Sequence, residues 1–492
     1  MGGIGRLHQQ VTIETIPDDV LLEIFKSFVN SMEFYGSASY ECHTLVHVCQ
    51  RWRYLAFTSP HHLKLQLLCK LPRRSVKEML DIWPEFLFNI QAIGHFKIKK
   101  EIDDCVAALG INHRVSGIHL EMTSFSAFKT FVSQMQRPFP ALTHLKVQPA
   151  YSIAYGFMDG ISRSFLGGSA PSLRDLLLVL VPFPALPKLL LSTTNLVRLW
   201  YDHIPQTGYI SPQDIVTGIS ELTRLESLSL SFQSPHSFED RLIRIPPPHT
   251  CTLLPALTDL RFQGVPEYIE DFVAQIDTPF LESMVATLFY QEVLEVPQLS
   301  KFVCRAEKLS LLDQAEVTFK DDRITLNLSQ ELHIINPISL MLNLSCPHWA
   351  LQLSYFAQFC ASCLPSLSSF ECLLIHVPTR YKWEDVIDYP ASWWLELLRP
   401  FTTMKELRLC RQIAPHIVQA LRQLSLEQVS GALPALEIAF IAGLQPSGPM
   451  NEVIFEFVDV RQVSGHPLSI WDWNEQGYNI FEDVSQMYYD LM

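Results

Sequence analysis

A Leu-x-x-Leu-x-Leu pattern, with apolar substitutes, returns eleven times between residues 115 and 441. Its first positions are Val115, Leu142, Leu173, Leu196, Leu225, Leu257, Leu281, Leu299, Leu367, Met404 and Leu436. The fourth and sixth positions follow suit, as in Leu145-x-Val147, Leu228-x-Leu230 and Leu407-x-Leu409. Alternation of this kind predicts a short strand with one face buried. Several units share a lead-in: Phe-Pro-Ala-Leu-Thr at 139–143, Ala-Pro-Ser-Leu-Arg at 170–174, Leu-Pro-Ala-Leu-Thr at 254–258, Leu-Pro-Ser-Leu-Ser at 364–368 and Leu-Pro-Ala-Leu-Glu at 433–437. Proline there stops whatever helix precedes it.

Helix candidates lie between the strands, at 212–222, 268–276, 354–363, 393–398 and 415–424. One strand and one helix per unit would stack into a curved solenoid, with a parallel sheet on the concave face and helices outside. The pattern is similar to a degenerate leucine-rich repeat, whose period is roughly 20–29 residues. The 68-residue step from Leu299 to Leu367 interrupts it. Ile324-Thr-Leu-Asn-Leu and Ile338-Ser-Leu-Met-Leu-Asn-Leu read as strands in that gap. The fold class expected is therefore α/β, with a small all-α region ahead of the solenoid.

That region is a pair of amphipathic helices. Pro17 suits a first helical turn, and Asp18 and Asp19 place negative charge at the positive end of the helix dipole. Val20, Leu21, Ile24, Phe25, Phe28 and Val29 then fall on one face. A second stripe holds Leu45, Val48, Cys49, Trp52, Leu55 and Ala56, with Arg51 and Arg53 off it and Ser59-Pro60 marking its end. So much apolar surface on one small helical pair calls for a partner, within the chain or outside it.

Ile16-Pro17 with Val20-Leu21-Leu22-x-Ile24-Phe25, followed by Val48-Cys49-x-x-Trp52-Arg53-x-Leu55, resembles the F-box. Residues 30–43 replace the short turn and the start of the middle helix usual in that module. The whole chain is similar to the expanded F-box proteins of mushroom-forming fungi. Leu45 to Leu55 with Ser59-Pro60, Asp81-Ile-Trp-Pro, Trp394-Leu-Glu-Leu-Leu-Arg-Pro-Phe, Ala414-Pro-His-Ile-Val-Gln-Ala-Leu and Arg461-Gln-Val-Ser-Gly-His-Pro carry that likeness. The resemblance implies docking on a Skp-type adaptor and, through it, on a cullin–RING ubiquitin ligase. Pro17, Leu21, Ile24, Phe25, Leu45, Val48, Trp52 and Leu55 are the expected adaptor-binding residues; some of them must instead hold the helices together. The repeats would bind an unknown substrate protein. The other reading is a leucine-rich interaction scaffold, outside any ligase, with a degenerate F-box.

The resulting divisions are an F-box at 11–60, a mostly helical linker at 61–113, the repeat array at 114–465 and an acidic, aromatic tail or cap at 466–492. Val453-Ile-Phe-Glu-Phe-Val is apolar enough for a last helix or a last strand, and the tail with Trp471, Trp473 and Tyr478 would cap the open end.

Composition narrows the function. Of 492 residues 48% are hydrophobic and 18% charged, which fits a well-buried chain. A net charge of −14 argues against nucleic acid as a partner, since phosphate binding needs clustered Lys and Arg. The small basic group Lys70, Arg73, Arg74 and Lys77 reads as solvated surface. The most apolar run, 176–191, holds three prolines and Lys188 and is too short for a membrane span. With no signal-peptide core at the start, the expected location is cytoplasmic, nuclear or both. The eleven cysteines would then be reduced, and the sequons at Asn327 and Asn343 unmodified.

No nucleotide-binding, zinc-protease or serine-hydrolase motif is present, so no enzymatic activity and no cofactor are expected. The best metal candidate is Cys360-Ala-Ser-Cys363 with Cys346, His348, Cys372 and His376 nearby. It lacks a second paired knuckle, and these cysteines suit a core better.

Overall fold

The computed structural model describes residues 13–33, 45–59, 66–71, 86–94, 99–122, 124–149, 160–233, 251–291, 294–320, 322–330, 339–346, 349–363, 370–377, 390–422, 433–444 and 449–473. The chain divides into two units, Met1–Asn195 and Leu196–Met492. Both are mixed α/β, built on a mostly parallel sheet with intervening helices.

In the first unit, α1 (Asp18–Glu33) opens with Asp18 and Asp19 in its first turn, and the Pro17 carbonyl accepts from the Leu21 amide at 3.0 Å. α2 is shorter than the apolar stripe predicts. It spans Gln50–Thr58, and Cys49 ahead of it is extended, with φ −155° and ψ 171°. The Cys49 sulfur accepts from the Trp52 amide at 3.5 Å, so this residue is an exposed helix cap, not the core residue expected. A cap must leave helical geometry to meet the first-turn N–H groups. Residues 45–48 form a separate helical turn.

The segment 61–113 also departs from expectation. Where a mostly helical linker is expected, its described residues carry β1 (Gln66–Leu71) and β2 (Leu87–Gly94) before α3 (Lys99–Leu109). Leucine, alanine and glutamine favour helix, but Phe88, Ile90 and Ala92 alternate with more exposed neighbours, the period of a paired strand. β3 (Val115–Met122), α4 (Phe125–Gln134), β4 (His144–Pro149), β5 (Asp175–Val179) and the short α5 (Leu186–Leu190) follow. β1 to β5 run in sequence order, each parallel to the next.

The second unit continues the scheme with β6 (Arg198–Ile204), α6 (Pro212–Ile219), β7 (Ser227–Phe232), β8 (Thr252–Leu253), β9 (Asp259–Gly264), α7 (Pro266–Val273), β10 (Ile276–Asp277) and β11 (Ser283–Leu288). β8 and β10 make a separate two-stranded ribbon. After α8 (Pro297–Arg305) the chain forms β12 (Gln314–Lys320), β13 (Arg323–Ser329) and β14 (Leu340–Ser345). α9 (Trp349–Cys363), β15 (Cys372–His376), α10 (Ala391–Leu398), β16 (Glu406–Leu409), α11 (Ala414–Arg422), β17 (Ile438–Ala442), α12 (Pro449–Val463) and β18 (Ser469–Trp473) complete it.

The 68-residue gap in the pattern has a topological cause. β14 pairs in parallel with β11, β13 runs antiparallel between β14 and β12, and β12 pairs in parallel with β15. A hairpin-linked insertion thus takes the place of a single repeat strand. Leu299-Phe302-Cys304, read as a repeat, is instead part of α8. Spacing i, i+3 is common to Leu-x-x-Leu and to a helix face, and Leu299, Phe302 and Val303 are buried together. The buried Glu270 of α7 fixes this helix start by accepting from the Gln298 and Leu299 amides at 2.9 and 2.7 Å. The segment 453–458 resolves as helix, within α12, and β18 pairs in parallel with β17.

At its four described places, 139–142, 170–173, 254–257 and 433–436, the shared lead-in is a β-turn with proline at its second position, the position its fixed φ suits. The Leu142, Leu173, Leu257 and Leu436 amides each donate to the carbonyl three residues earlier, at 3.1–3.3 Å. The following residue then bonds the equivalent place in the preceding repeat. Thr143 donates to Ser116, Arg174 to Thr143, Thr258 to Glu226 and Glu437 to Lys405, all at 2.8–2.9 Å. The turn therefore ties each strand to the preceding repeat just ahead of its leucines.

Expectations concerning residues 34–43, Arg73, Arg74, Lys77, Asp81-Ile-Trp-Pro, Ile338, His348, Leu367 and Tyr478 lie outside the described residues.

Candidate binding surfaces

The helical pair in the first unit sorts its expected binding residues by burial. Leu21, Phe25, Leu45 and Leu55 are buried. Phe25 meets the half-buried Trp52 with ring centroids 4.6 Å apart. These residues hold the helices together. Pro17 is exposed, as are Ile24 at 46% and Val48 at 55%. Val20, one turn before Ile24 on α1, is 45% exposed and belongs with them, although it was absent from the expected set. Two arginines off the apolar stripe brace the pair. Arg51 Nε donates to Asp18 Oδ1 at 2.9 Å and its Nη2 to the Ile16 carbonyl at 2.6 Å, while Arg53 Nε donates to the Val46 carbonyl at 2.9 Å.

In the second unit, the repeat leucines are buried on one side of the strands, and their alternating neighbours line the other. This second row is polar and bonded from strand to strand. On β6, β7 and β9, Trp200 Nε1 donates to Ser227 at 3.0 Å, Ser227 to Asp259 at 2.9 Å and Ser229 to Asp202 at 2.6 Å. Arg261 pairs with Asp259 at 3.2 Å and lies 5.9 Å from the Trp200 ring centroid. Further along, Thr325 bonds Asn343 at 2.8 Å and Asn343 bonds Thr287 at 3.2 Å. Glu316 accepts from Asn327 at 3.0 Å and meets His376 Nε2 at 2.7 Å. At β16 to β18, Arg408 is paired with Glu406 and lies 5.2 Å from the Phe440 ring centroid, with Trp471 exposed beside it in register. Arginines adjoin carboxylates at Asp259 and Glu406, and the surface offers hydrogen bonds and aromatic area.

β6 bulges within this surface. Its register with β7 shifts between Tyr201 and Ile204, and His203 takes φ +51°, a left-handed conformation that non-glycine residues rarely adopt. The extra residue turns Asp202 toward Ser229 while Tyr201 and Ile204 stay in the core. Burial holds the Asp202 carboxyl above its ordinary range, against the opposing effects of Ser229, His203 and Arg261. The neutral acid is therefore the form that suits the folded state. Its stabilisation is present below the ordinary carboxyl pKa and is lost as pH rises through the raised value. Asp202→Asn should unfold at a higher temperature than the parent at pH 7, and the difference should close in acid; calorimetry at several pH values checks both.

Of the cysteine–histidine candidates, His348 and the Cys363 side chain lie outside the described residues. Cys346, Cys360 and Cys372 are buried, on different elements. Burial, with Glu406 second, pushes the Cys372 thiol up to about 12, which leaves it protonated and unreactive at neutral pH. Among the described residues no group of three or more His, Cys, Asp or Glu could hold a metal ion, and no helix is long and apolar enough to cross a membrane.

No protein-family model matches the chain, and no curated protein matches it. Among solved structures, the leucine-rich repeat-containing protein LegL7 from Legionella pneumophila aligns with 81% of this chain and 98% of its own, at 12% identity and a TM-score of 0.24.

Proposed function

We propose that the chain is a substrate receptor of a cullin–RING ubiquitin ligase. The N-terminal helical pair docks on a Skp-type adaptor, and the polar face of a leucine-rich-repeat solenoid holds the target protein. The observation that supports this reading is the division of labour in the helical pair. Leu21, Phe25, Leu45 and Leu55 close its own core, while Val20, Ile24 and Val48 remain exposed, as does Pro17. Exposed aliphatic side chains on a small helical element provide the contacts that a partner's apolar pockets bury. Ubiquitin transfer would be performed by other subunits. This chain supplies proximity by holding the target where transfer occurs.

Co-expression with a fungal Skp-type adaptor and the N-terminal region of a cullin tests the reading. The expected outcome is one co-eluting complex in size-exclusion chromatography, from which Ile24→Asp, Val48→Asp removes this chain alone. A folded parent chain that elutes apart from the adaptor contradicts the proposal and leaves the leucine-rich scaffold as the better account.

A further inference from the structure

β18 is the last strand of its sheet, and among the described residues it pairs with β17 alone. The N–H and C=O groups of its outer side therefore face no neighbouring strand there. Proteins guard such an edge with lysine, proline, a bulge or a charge placed to repel a newcomer. β18 reads Ser-Ile-Trp-Asp-Trp, with no lysine and no proline. Its pairing with β17 runs from Ser469 to Trp473 without a register shift. Its one charge, Asp472, is engaged on the inner side, where Oδ1 accepts from the Gly443 and Leu444 amides at 3.1 and 3.2 Å. Trp473 Nε1 donates to the Leu409 carbonyl of β16 at 3.0 Å, which fastens the strand to the two before it. The edge is thus straight, held in place and unguarded.

Trp471 is 58% exposed. It stands in register with Phe440 and, one strand further in, with Arg408. The row Arg408, Phe440, Trp471 on the polar face therefore ends at the edge of β18. A strand added there would lay every second side chain on that face, one of them against the Trp471 indole. What fills an unpaired strand edge is an extended backbone. A second copy of the chain brings the same net charge of −14 and is repelled as a whole; an extended segment of another protein, neutral or basic, is not.

We infer that the outer edge of β18 receives an extended segment of a bound protein as an added strand, with an aromatic or β-branched side chain packed on Trp471. This deepens the proposed receptor reading and rests on it only in assigning the segment to a target protein. The adaptor surface plays no part.

The test uses the full chain immobilised and a positional-scanning library of nine-residue peptides, each sublibrary fixing one residue. Sublibraries fixing an aromatic or β-branched residue should be retained about threefold more than the one fixing alanine. The best-retained peptide is then remade with a single backbone N-methyl group at each position in turn. Strand addition predicts about tenfold weaker binding at every second residue and little change between, since only alternate N–H groups meet β18. Trp471→Thr should erase the side-chain preference and keep the alternation, while Ile24→Asp, Val48→Asp keeps both. Equal retention of all sublibraries overturns the inference, as does an N-methyl series without alternation or a preference unchanged in Trp471→Thr. A full chain that sediments as a dimer, and as a monomer in Trp471→Lys, gives the edge to a second copy and overturns it too. None of these results bears on adaptor docking.

Discussion

Arg461→Ala should lower the stability of the second unit by about 3–5 kcal/mol. Arg461 is fully buried on α12. Its guanidinium donates to three backbone carbonyls: His466 at 3.2 Å, Leu433 at 3.1 Å and Leu436 at 2.7 Å. The last two belong to the turn that feeds β17. Removing the side chain takes a donor from each of the three carbonyls, of which Leu433 keeps the turn bond from the Leu436 amide, at roughly 1–3 kcal/mol for each acceptor left unsatisfied, before water or relaxation offsets part of it. It also frees the turn that sets the register of β17 against β16. Arg461→Lys should recover little, because one ammonium cannot reproduce a planar fork aimed at separate carbonyls. Denaturant unfolding followed by fluorescence measures the loss. A decrease below about 1 kcal/mol would mean that the carbonyls find other donors and that Arg461 is not a structural clamp.

Phe25→Ala should melt the N-terminal helical pair while leaving the repeats folded. Phe25 is fully buried and packs on Trp52 at 4.6 Å, and truncating a buried phenylalanine costs about 3–5 kcal/mol. Among the described residues the pair has few buried ones to share that loss: Leu21, Phe25, Leu45, Val46, Leu55 and Ala56. Ile24→Asp, one residue away but exposed, should change stability by only about 0.5 kcal/mol. Hydrogen exchange along α1 separates the two. Exchange should accelerate across the whole helix in Phe25→Ala and stay near the parent rate in Ile24→Asp. Equal protection in both variants would show that the helix does not depend on the Phe25–Trp52 contact.

Much of this architecture is legible in the sequence because leucine spacing and turn chemistry agree with each other. Ten of the eleven Leu-x-x-Leu-x-Leu matches lead into or lie on strands. The proline-containing lead-in marks where each turn closes. The exception, Leu299-Phe302-Cys304, fails because i, i+3 spacing does not distinguish the two structures and a buried carboxylate 29 residues earlier, Glu270, caps the helix start. β2 is hidden in the sequence by helix-favouring residues whose alternation becomes visible only through burial and pairing. In the helical pair, periodicity found the apolar residues but could not divide them. Ile24 and Phe25 are adjacent on α1, and it is the contact with Trp52 of α2 that places Phe25 inside. The Asp202 bulge left no sequence signal, since β6 matches the repeat pattern through Tyr201 and departs from it only at the next two residues.

The dissociation constant of the full chain for a Skp-type adaptor, with Ile24→Asp, Val48→Asp beside it, tests the central claim most directly. The account predicts measurable binding by the parent and at least a roughly hundredfold weakening in the variant, about 2.7 kcal/mol, with α1 hydrogen exchange unchanged. Binding that survives both substitutions would contradict the assigned surface, and no binding by the folded parent would contradict the receptor itself.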